Sequence, residues 1–360
     1  NPGGLLYEAV KIVNLFVEKN KLVVYTKGQI KEFDQEYKTP SKPVDTEIAL
    51  VVLVDRISAS ASEIVAGALQ DMDRAIIVGE RTFGKGLVQA TRPLPYNTQF
   101  KVTTAKYYIP SGRCIQAVDY TQRNEDGSIS FIPDSLISEF KTQNGRIVYD
   151  GGGITPDIKH PFSSYSRIAS VLYARNIYFD YATQFRVNNN AIASPDEFSL
   201  SNDQFTDFVS FIKTSDFKYQ SQTEYVLNEL INTAKQEKYY DLTSNLVDSL
   251  EAIIKSNPLR DIEFFRGEIK KLLEEEIVSR YYYQKGKVKR SINYDEVIPI
   301  SIDVLLDKKR YSEVLSTGTT NRISNSSQTY NVVGNHFFKG LQQASTKKDN
   351  SGIQANKIPS

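Results

Sequence analysis

The sequence predicts an α/β core followed by a helical region. Three observations carry this reading. Two short continuous apolar runs, Ile48–Val54 and Ala75–Val78, have the pattern of strands buried on both faces. A helical stretch, Ser62–Gln70, lies between them, and strand–helix–strand order implies a partly parallel sheet. Beyond about residue 162, apolar residues recur at helical spacing instead.

After Asn1-Pro2-Gly3-Gly4, the stretch Leu5–Glu18 places Leu6, Ala9, Val10, Val13, Leu15, Phe16 and Val17 on one broad helical face. Leu22–Tyr25 is rich in strand formers, with Thr26-Lys27-Gly28 as its expected turn. A polar, proline-containing connection, Tyr37–Asp45, leads to the first buried strand. Phe100–Ile109 alternates around Val102, Thr104 and Lys106 as a longer strand. In the second half, Phe205, Phe208, Val209 and Ile212 share one helical stripe. Tyr225, Leu227, Leu230 and Ile231 share another, and Ile262, Phe265, Ile269, Leu272, Leu273 and Ile277 form the longest. Packed stripes of this kind make a helical bundle. The basic cluster Lys285–Arg290 reads as a solvated helix end. From Ser316 onward Ser, Thr, Asn, Gln and Lys dominate without a period, the composition of an unstructured tail. The expected division is therefore a core over 1–161, a helical accessory domain over 162–315 and a tail over 316–360.

Charge and composition exclude several functions. Forty-four Lys and Arg against 43 Asp and Glu leave a formal charge of +1, without the basic excess that nucleic acid or an anionic membrane demands. The single cysteine, Cys114, rules out an internal disulfide and a cysteine-ligated zinc site. Only two histidines, His160 and His336, are present, so a His-rich metal site is not available. No run approaches the roughly 18 apolar residues of a membrane-spanning helix. Residue 1 is Asn, which reads as a processed chain or a piece of a longer one.

The chemistry concentrates in two segments. Asp55–Glu63 (DRISASASE) joins a buried strand to a helix, where α/β proteins usually carry their sites. A serine there lies near helix N–H groups able to stabilise an oxyanion. The spacing Ser60-x-x-Glu63 is equally that of a capping box, and both readings fit this segment alone. Gly79–Gln89 (GERTFGKGLVQ) follows the next strand and sets Lys85 between two glycines. It is not a phosphate loop, because residue 86 is Gly and residue 80 is Glu. With histidines poorly placed, a neutral lysine is the other base for a serine. Half-deprotonating a lysine at neutral pH takes a shift of about three units, roughly 4 kcal/mol, which burial can supply. An uncharged orienting partner suits such a base, and Gln89 has the right chemistry.

Asn1–Leu5, Ser58–Glu63 with the following IVAGALQD, and Gly79–Gln89 resemble the C-terminal processing (tail-specific) serine peptidases. Tyr107–Arg113 (YYIPSGR) and Gly151–Asp157 (GGGITPD) do so too, making five motifs in one order over residues 1–158. The resemblance implies a ClpP/crotonase-like α/β fold and a serine-type endopeptidase that cuts near protein C-termini without metal or organic cofactor. It implies Ser60 as nucleophile, Lys85 as general base and Gln89 as the residue orienting the lysine. The backbone N–H groups of Gly4 and Ala61 would form the oxyanion hole. Tyr108, Pro110, Ser111, Gly112, Gly152 and Gly153 would lie near substrate, although ordinary strand and turn roles fit them equally. The implied partners are polypeptides with exposed C-terminal tails, with room for a homo-oligomer, and the implied compartment is the bacterial cell envelope, in the periplasm. Two departures stand out: Asp55 and Ile57 replace the Asn and Gly usual in the family. The resemblance also implies that the core starts before Asn1 and that a PDZ module precedes it. The competing reading is a scaffold protein on the same fold whose site Asp55 and Ile57 have spoiled.

Overall fold

The computed structural model describes residues 1–123, 129–161, 164–215 and 217–316. The expected tail and His336 lie outside them, Ser316 excepted. Helix α1 (Leu6–Asn14) precedes a hairpin of β1 (Leu22–Gly28) and β2 (Gln35–Lys38). Strand β3 (Val51–Val54), helix α2 (Ala61–Asp71) and strand β4 (Ile76–Gly79) follow, then the hairpin β5 (Leu87–Pro93) and β6 (Gln99–Tyr108). Short strands complete this part: β7 (Val118–Arg123), β8 (Ile129–Phe131), β9 (Glu139–Lys141), β10 (Ile147–Tyr149) and β11 (Ile158–Lys159). The helices are α3 (Arg167–Ala174), α4 (Ile177–Asn188), α5 (Asn202–Thr214), α6 (Gln222–Gln236), α7 (Tyr240–Ile254) and α8 (Pro258–Phe264). The last three are α9 (Arg266–Ser291), α10 (Val297–Leu306) and α11 (Lys308–Ser316).

Two sheets frame the site. Strands β3 and β11 flank β4 in parallel, in the order β11-β4-β3, as expected from the apolar runs. The other sheet is antiparallel, in the order β2-β1-β6-β5. Strand β1 runs through Gly28, because Thr26, Lys27 and Gly28 pair with Tyr107, Lys106 and Ala105 of β6. The turn expected at 26–28 is therefore strand.

Alternation along β4 sets the layers. Ile77 points into the main core with Val10 and Val13 of α1, Ile64 and Leu69 of α2, and Tyr107 and Ile109. Ile76 and Val78 point the other way and are covered by Val297 and Val304 of α10, with Tyr311 and Val314 of α11 beside them. Each such fully buried side chain contributes about 1.5–3 kcal/mol. The last two helices thus leave the bundle and return to the parallel sheet, although the sequence division groups them with the helical region. The Tyr311 hydroxyl fixes that return, accepting from Leu50 N–H at 2.8 Å and donating to Leu50 C=O at 3.0 Å.

The bundle core joins Leu172, Tyr181, Phe208, Ile262, Leu273 and Ile277 from α3, α4, α5, α8 and α9. The longest predicted stripe is divided at Phe265, whose φ of −99° and ψ of 22° separate α8 from α9. The 285–290 cluster is no solvated end. Arg290 is 4% exposed and pairs with the buried Glu274 at 2.6 Å, which also accepts from Tyr294 Oη at 2.6 Å.

Candidate active site

Ser60 is the residue at which the chain turns from β3 into α2, and its backbone is strained. Its φ of 59° and ψ of −120° put a non-glycine residue in a region L side chains rarely adopt. Such a conformation costs about 1–3 kcal/mol and concentrates at functional turns. The turn is built by its neighbours. Asp55 Oδ1 accepts from Ile57 N–H at 3.0 Å, Ser58 N–H at 2.7 Å and the Ser58 hydroxyl at 2.9 Å. These bonds need only an acceptor oxygen, which Asn would also offer, so Asp55 preserves the turn. Ile57 is 57% exposed and keeps a φ outside the positive range. It does not distort the turn.

Glu63 ties this turn to the lysine loop. Its side chain is fully buried, and its four acceptor positions are all filled. Oε2 accepts from Ser60 N–H at 2.8 Å and Lys85 N–H at 2.9 Å. Oε1 accepts from the Thr82 hydroxyl at 2.6 Å and Gly84 N–H at 2.7 Å. Burial pushes the Glu63 pKa up, against the opposing effect of these hydrogen bonds. The capping-box spacing is therefore realised on the carboxylate side, but the same carboxylate also reaches across to residues 82–85. No side-chain cap bond of normal geometry holds the Ser60 hydroxyl.

Tyr107 completes the tie. It is 2% exposed on β6, and its hydroxyl donates to Lys85 C=O, with Ser60 C=O 3.3 Å away. Phe83 N–H adds a further link to Ser58 C=O at 3.0 Å. Glycines permit the close approaches. Gly84, at φ 81°, has no room for a side chain: a Cβ there would stand 2.3 Å from Ala117 Cβ.

The expected oxyanion donors are adjacent to the serine. Ala61 opens α2 directly after Ser60. Gly3, at φ 88°, packs so closely that a Cβ would stand 2.4 Å from Ala59 O and 2.7 Å from Ala61 N, which carries Gly4 to the same place. Asn1 C=O accepts from Ala59 N–H at 3.0 Å and fixes the approach.

The dyad side chains themselves are not joined. Lys85 and Gln89 are exposed, and no hydrogen bond connects Lys85 Nζ with Ser60 or Gln89. The burial expected to neutralise Lys85 is absent among the described residues. The reason is local: Lys85 rises from a glycine loop, and Gln89 sits on β5, an edge strand with β6 on one side and a register irregularity between Val88 and Gln89.

The expected substrate residues fall into two groups. Gly152 and Gly153 are buried beneath the lysine loop, where Arg81 Nε donates to Gly152 C=O and Thr82 exchanges hydrogen bonds with Ile154. They support that loop. Tyr108 stacks on Tyr25 with ring centroids 5.2 Å apart, and Gly112 lies nearby, its would-be Cβ 3.7 Å from Tyr25 Oη. Ser111 N–H donates to Asp71 at 2.9 Å, and Asp71 pairs with the buried Arg113 at 2.8 Å. No hydrogen bond links Pro110, Ser111 or Gly112 to Ser60 or Lys85. Sequence reasoning missed Tyr107 and Thr82 and saw only the capping role of Glu63. The Ser-x-x-Glu spacing was the available signal for the last of these.

Comparison with known proteins agrees with the motifs. Residues 1–123 match peptidase family S41, and residues 168–305 match the C-terminal helical domain of probable PDZ-proteases. A carboxy-terminal-processing protease of Bartonella bacilliformis is 44% identical over 121 residues, 34% of this chain and 28% of that protein. A probable CtpA-like serine protease of Staphylococcus epidermidis is 30% identical over 248 residues, 65% of this chain and 46% of that protein. Among solved structures, the photosystem II D1 C-terminal processing protease is 29% identical, covering 45% of this chain and 32% of that one, with a TM-score of 0.31. The chain spans less than half the length of each of these relatives. With the peptidase domain followed by the helical domain, the chain belongs to the carboxyl-terminal-processing serine proteases of family S41.

Proposed function

We propose that this chain hydrolyses peptide bonds near the C-termini of protein substrates, on a ClpP/crotonase-like core, with Ser60 and Lys85 as a catalytic dyad. The observation that carries the reading is the Glu63 carboxylate, whose single oxygen Oε2 holds the backbone N–H groups of both residues. A merely structural cap needs only Ser60.

In the mechanism, neutral Lys85 Nζ takes the proton of Ser60 Oγ as the oxygen attacks the scissile carbonyl carbon. The N–H groups of Gly4 and Ala61 receive the charge that develops on the carbonyl oxygen. Lysine then returns its proton to the leaving amine, and an acyl-serine remains. Water, deprotonated by the same lysine, releases the acid product and restores Ser60. Gln89 orients the amine without stabilising its charged form. Lys85 is exposed in the free chain, so bound polypeptide supplies the desolvation that favours its neutral form. Family resemblance points to the bacterial cell envelope as the setting, with unfolded tails as substrates.

Lys85→Ala in the full-length protein tests the base. Hydrolysis of a fluorescence-quenched peptide with a free C-terminus should fall by at least 10²-fold, and the residual rate should lose the rise with pH that a titrating lysine imposes. An unchanged rate would remove Lys85 from the mechanism.

A further inference from the structure

Each of Ser60 and Lys85 has two main-chain polar groups, and two buried side chains serve all four. Glu63 accepts both N–H groups, and the Tyr107 hydroxyl faces both C=O groups. The phenol ring is enclosed, 2% exposed, on the central strand β6, whose own backbone is locked to the loop by Tyr107 N–H donating to Gly86 C=O at 3.0 Å. The hydroxyl thus stands on a rigid element between two segments that no secondary structure joins. Segment 58–61 ends β3 and opens α2, whereas segment 82–86 runs from β4 to β5.

We propose that Tyr107 is a positioning residue for the reaction, its hydroxyl setting the separation of the nucleophile and base segments by holding the main-chain carbonyls of Ser60 and Lys85. This inference rests on the Ser60–Lys85 reading. A buried tyrosine needs some acceptor, and a backbone carbonyl satisfies it. What assigns a positioning role is the identity of the two acceptors, one on each catalytic residue, opposite the carboxylate that holds the same pair. Burial and the neighbouring Glu63 charge push the Tyr107 pKa well up, so the phenol remains protonated throughout the working range. Without its hydroxyl, the loop keeps the Glu63 bonds on its N–H side but can pivot about them. Lys85 rises from that loop, and a shift of about 1 Å in a reacting group can cost 10²-fold in rate.

The test is Tyr107→Phe in the full-length protein, which keeps the ring and removes only the hydroxyl. Steady-state hydrolysis of a fluorescence-quenched peptide with a free C-terminus should show kcat reduced about 10²-fold and KM within twofold of wild type. Amide hydrogen exchange in a peptide covering residues 82–87 should accelerate, with exchange in α4 and α9 unchanged. Ser60→Ala runs beside it and should be inactive. If Ser60→Ala is inactive while Tyr107→Phe keeps wild-type kcat, the positioning role is overturned and the dyad stands. If Ser60→Ala retains full activity, both the dyad and the inference resting on it fail. Should Tyr107→Phe fold poorly, its exchange pattern decides the matter: general acceleration across all elements overturns the local role, whereas acceleration confined to 82–87 supports it.

Discussion

Glu63 accepts the backbone N–H of Lys85 at 2.9 Å through a side chain that has no solvent exposure. A residue on the first turn of α2 thereby fixes the height of a loop that follows a different strand. Removing the carboxylate leaves four buried donors, those of Ser60, Thr82, Gly84 and Lys85, without an acceptor. Each orphaned group costs about 1–3 kcal/mol before relaxation. Glu63→Ala should therefore lower the thermal midpoint markedly. Glu63→Gln keeps the shape but turns an amide NH2 toward two donors, so it should retain most of the fold and lose at least tenfold in kcat/KM. Calorimetry and peptide hydrolysis on the two variants separate the effects.

The same carboxylate predicts a pH signature. Burial raises its pKa above the ordinary value of 4.5. The folded chain then holds this proton at pH values where the unfolded chain has released it. Glu63's contribution to stability is accordingly greatest below 4.5 and declines as pH rises toward the folded value. Function runs the other way, because only the carboxylate can accept from all four donors. As pH falls, log kcat/KM should drop with a slope of about one while Lys85 protonates, and steepen toward two once Glu63 also protonates, above 4.5. Circular dichroism at the same pH values should show an intact fold. A slope that stays at one down to 4.5 contradicts the role given to Glu63.

Legibility in the sequence followed the range of the interaction. The strands β3 and β4 and the helix between them were readable because a buried run of Ile, Val and Leu is a local signal. Ser60, Lys85 and Gln89 were readable from their motifs. Glu63 was half readable: its capping spacing is local, but its bonds to residues 82–85 exist only once β4 has brought that loop back to the helix. Tyr107 was unreadable, since nothing in YYIPSGR says which of its two tyrosines turns inward. In the bundle, Phe265 has the helical period yet breaks the helix, and Arg290 lies within a basic run yet is buried against Glu274. Period and composition do not register an ion pair made sixteen residues away.

Gly3→Ala tests the approach to the oxyanion donors. A left-handed φ costs an alanine about 1–2 kcal/mol, and the added Cβ would press on Ala59 O and Ala61 N. The segment must move away from Ser60, taking Gly4 N–H with it. Losing one oxyanion donor costs roughly 10²–10³ in kcat. The variant should show a loss on that scale with a modest fall in thermal midpoint, and wild-type kcat would remove Gly4 from the oxyanion hole.

Tyr311→Phe examines the return of α11 to the sheet. It removes a hydroxyl bonded to both Leu50 N–H and Leu50 C=O, so stability should fall by about 1–2 kcal/mol in denaturant titration. The site itself is untouched, and kcat should stay within twofold of wild type. An equal loss of activity would place α11 among the elements that set the site.

Ser60→Ala bears most directly on the central claim. The full-length protein and the variant are compared for cleavage of an unfolded polypeptide with a free C-terminus, with products followed by mass spectrometry and folding checked by circular dichroism. The account predicts a folded variant with no cleavage above background. A folded Ser60→Ala protein that releases the same products at the wild-type rate would contradict it.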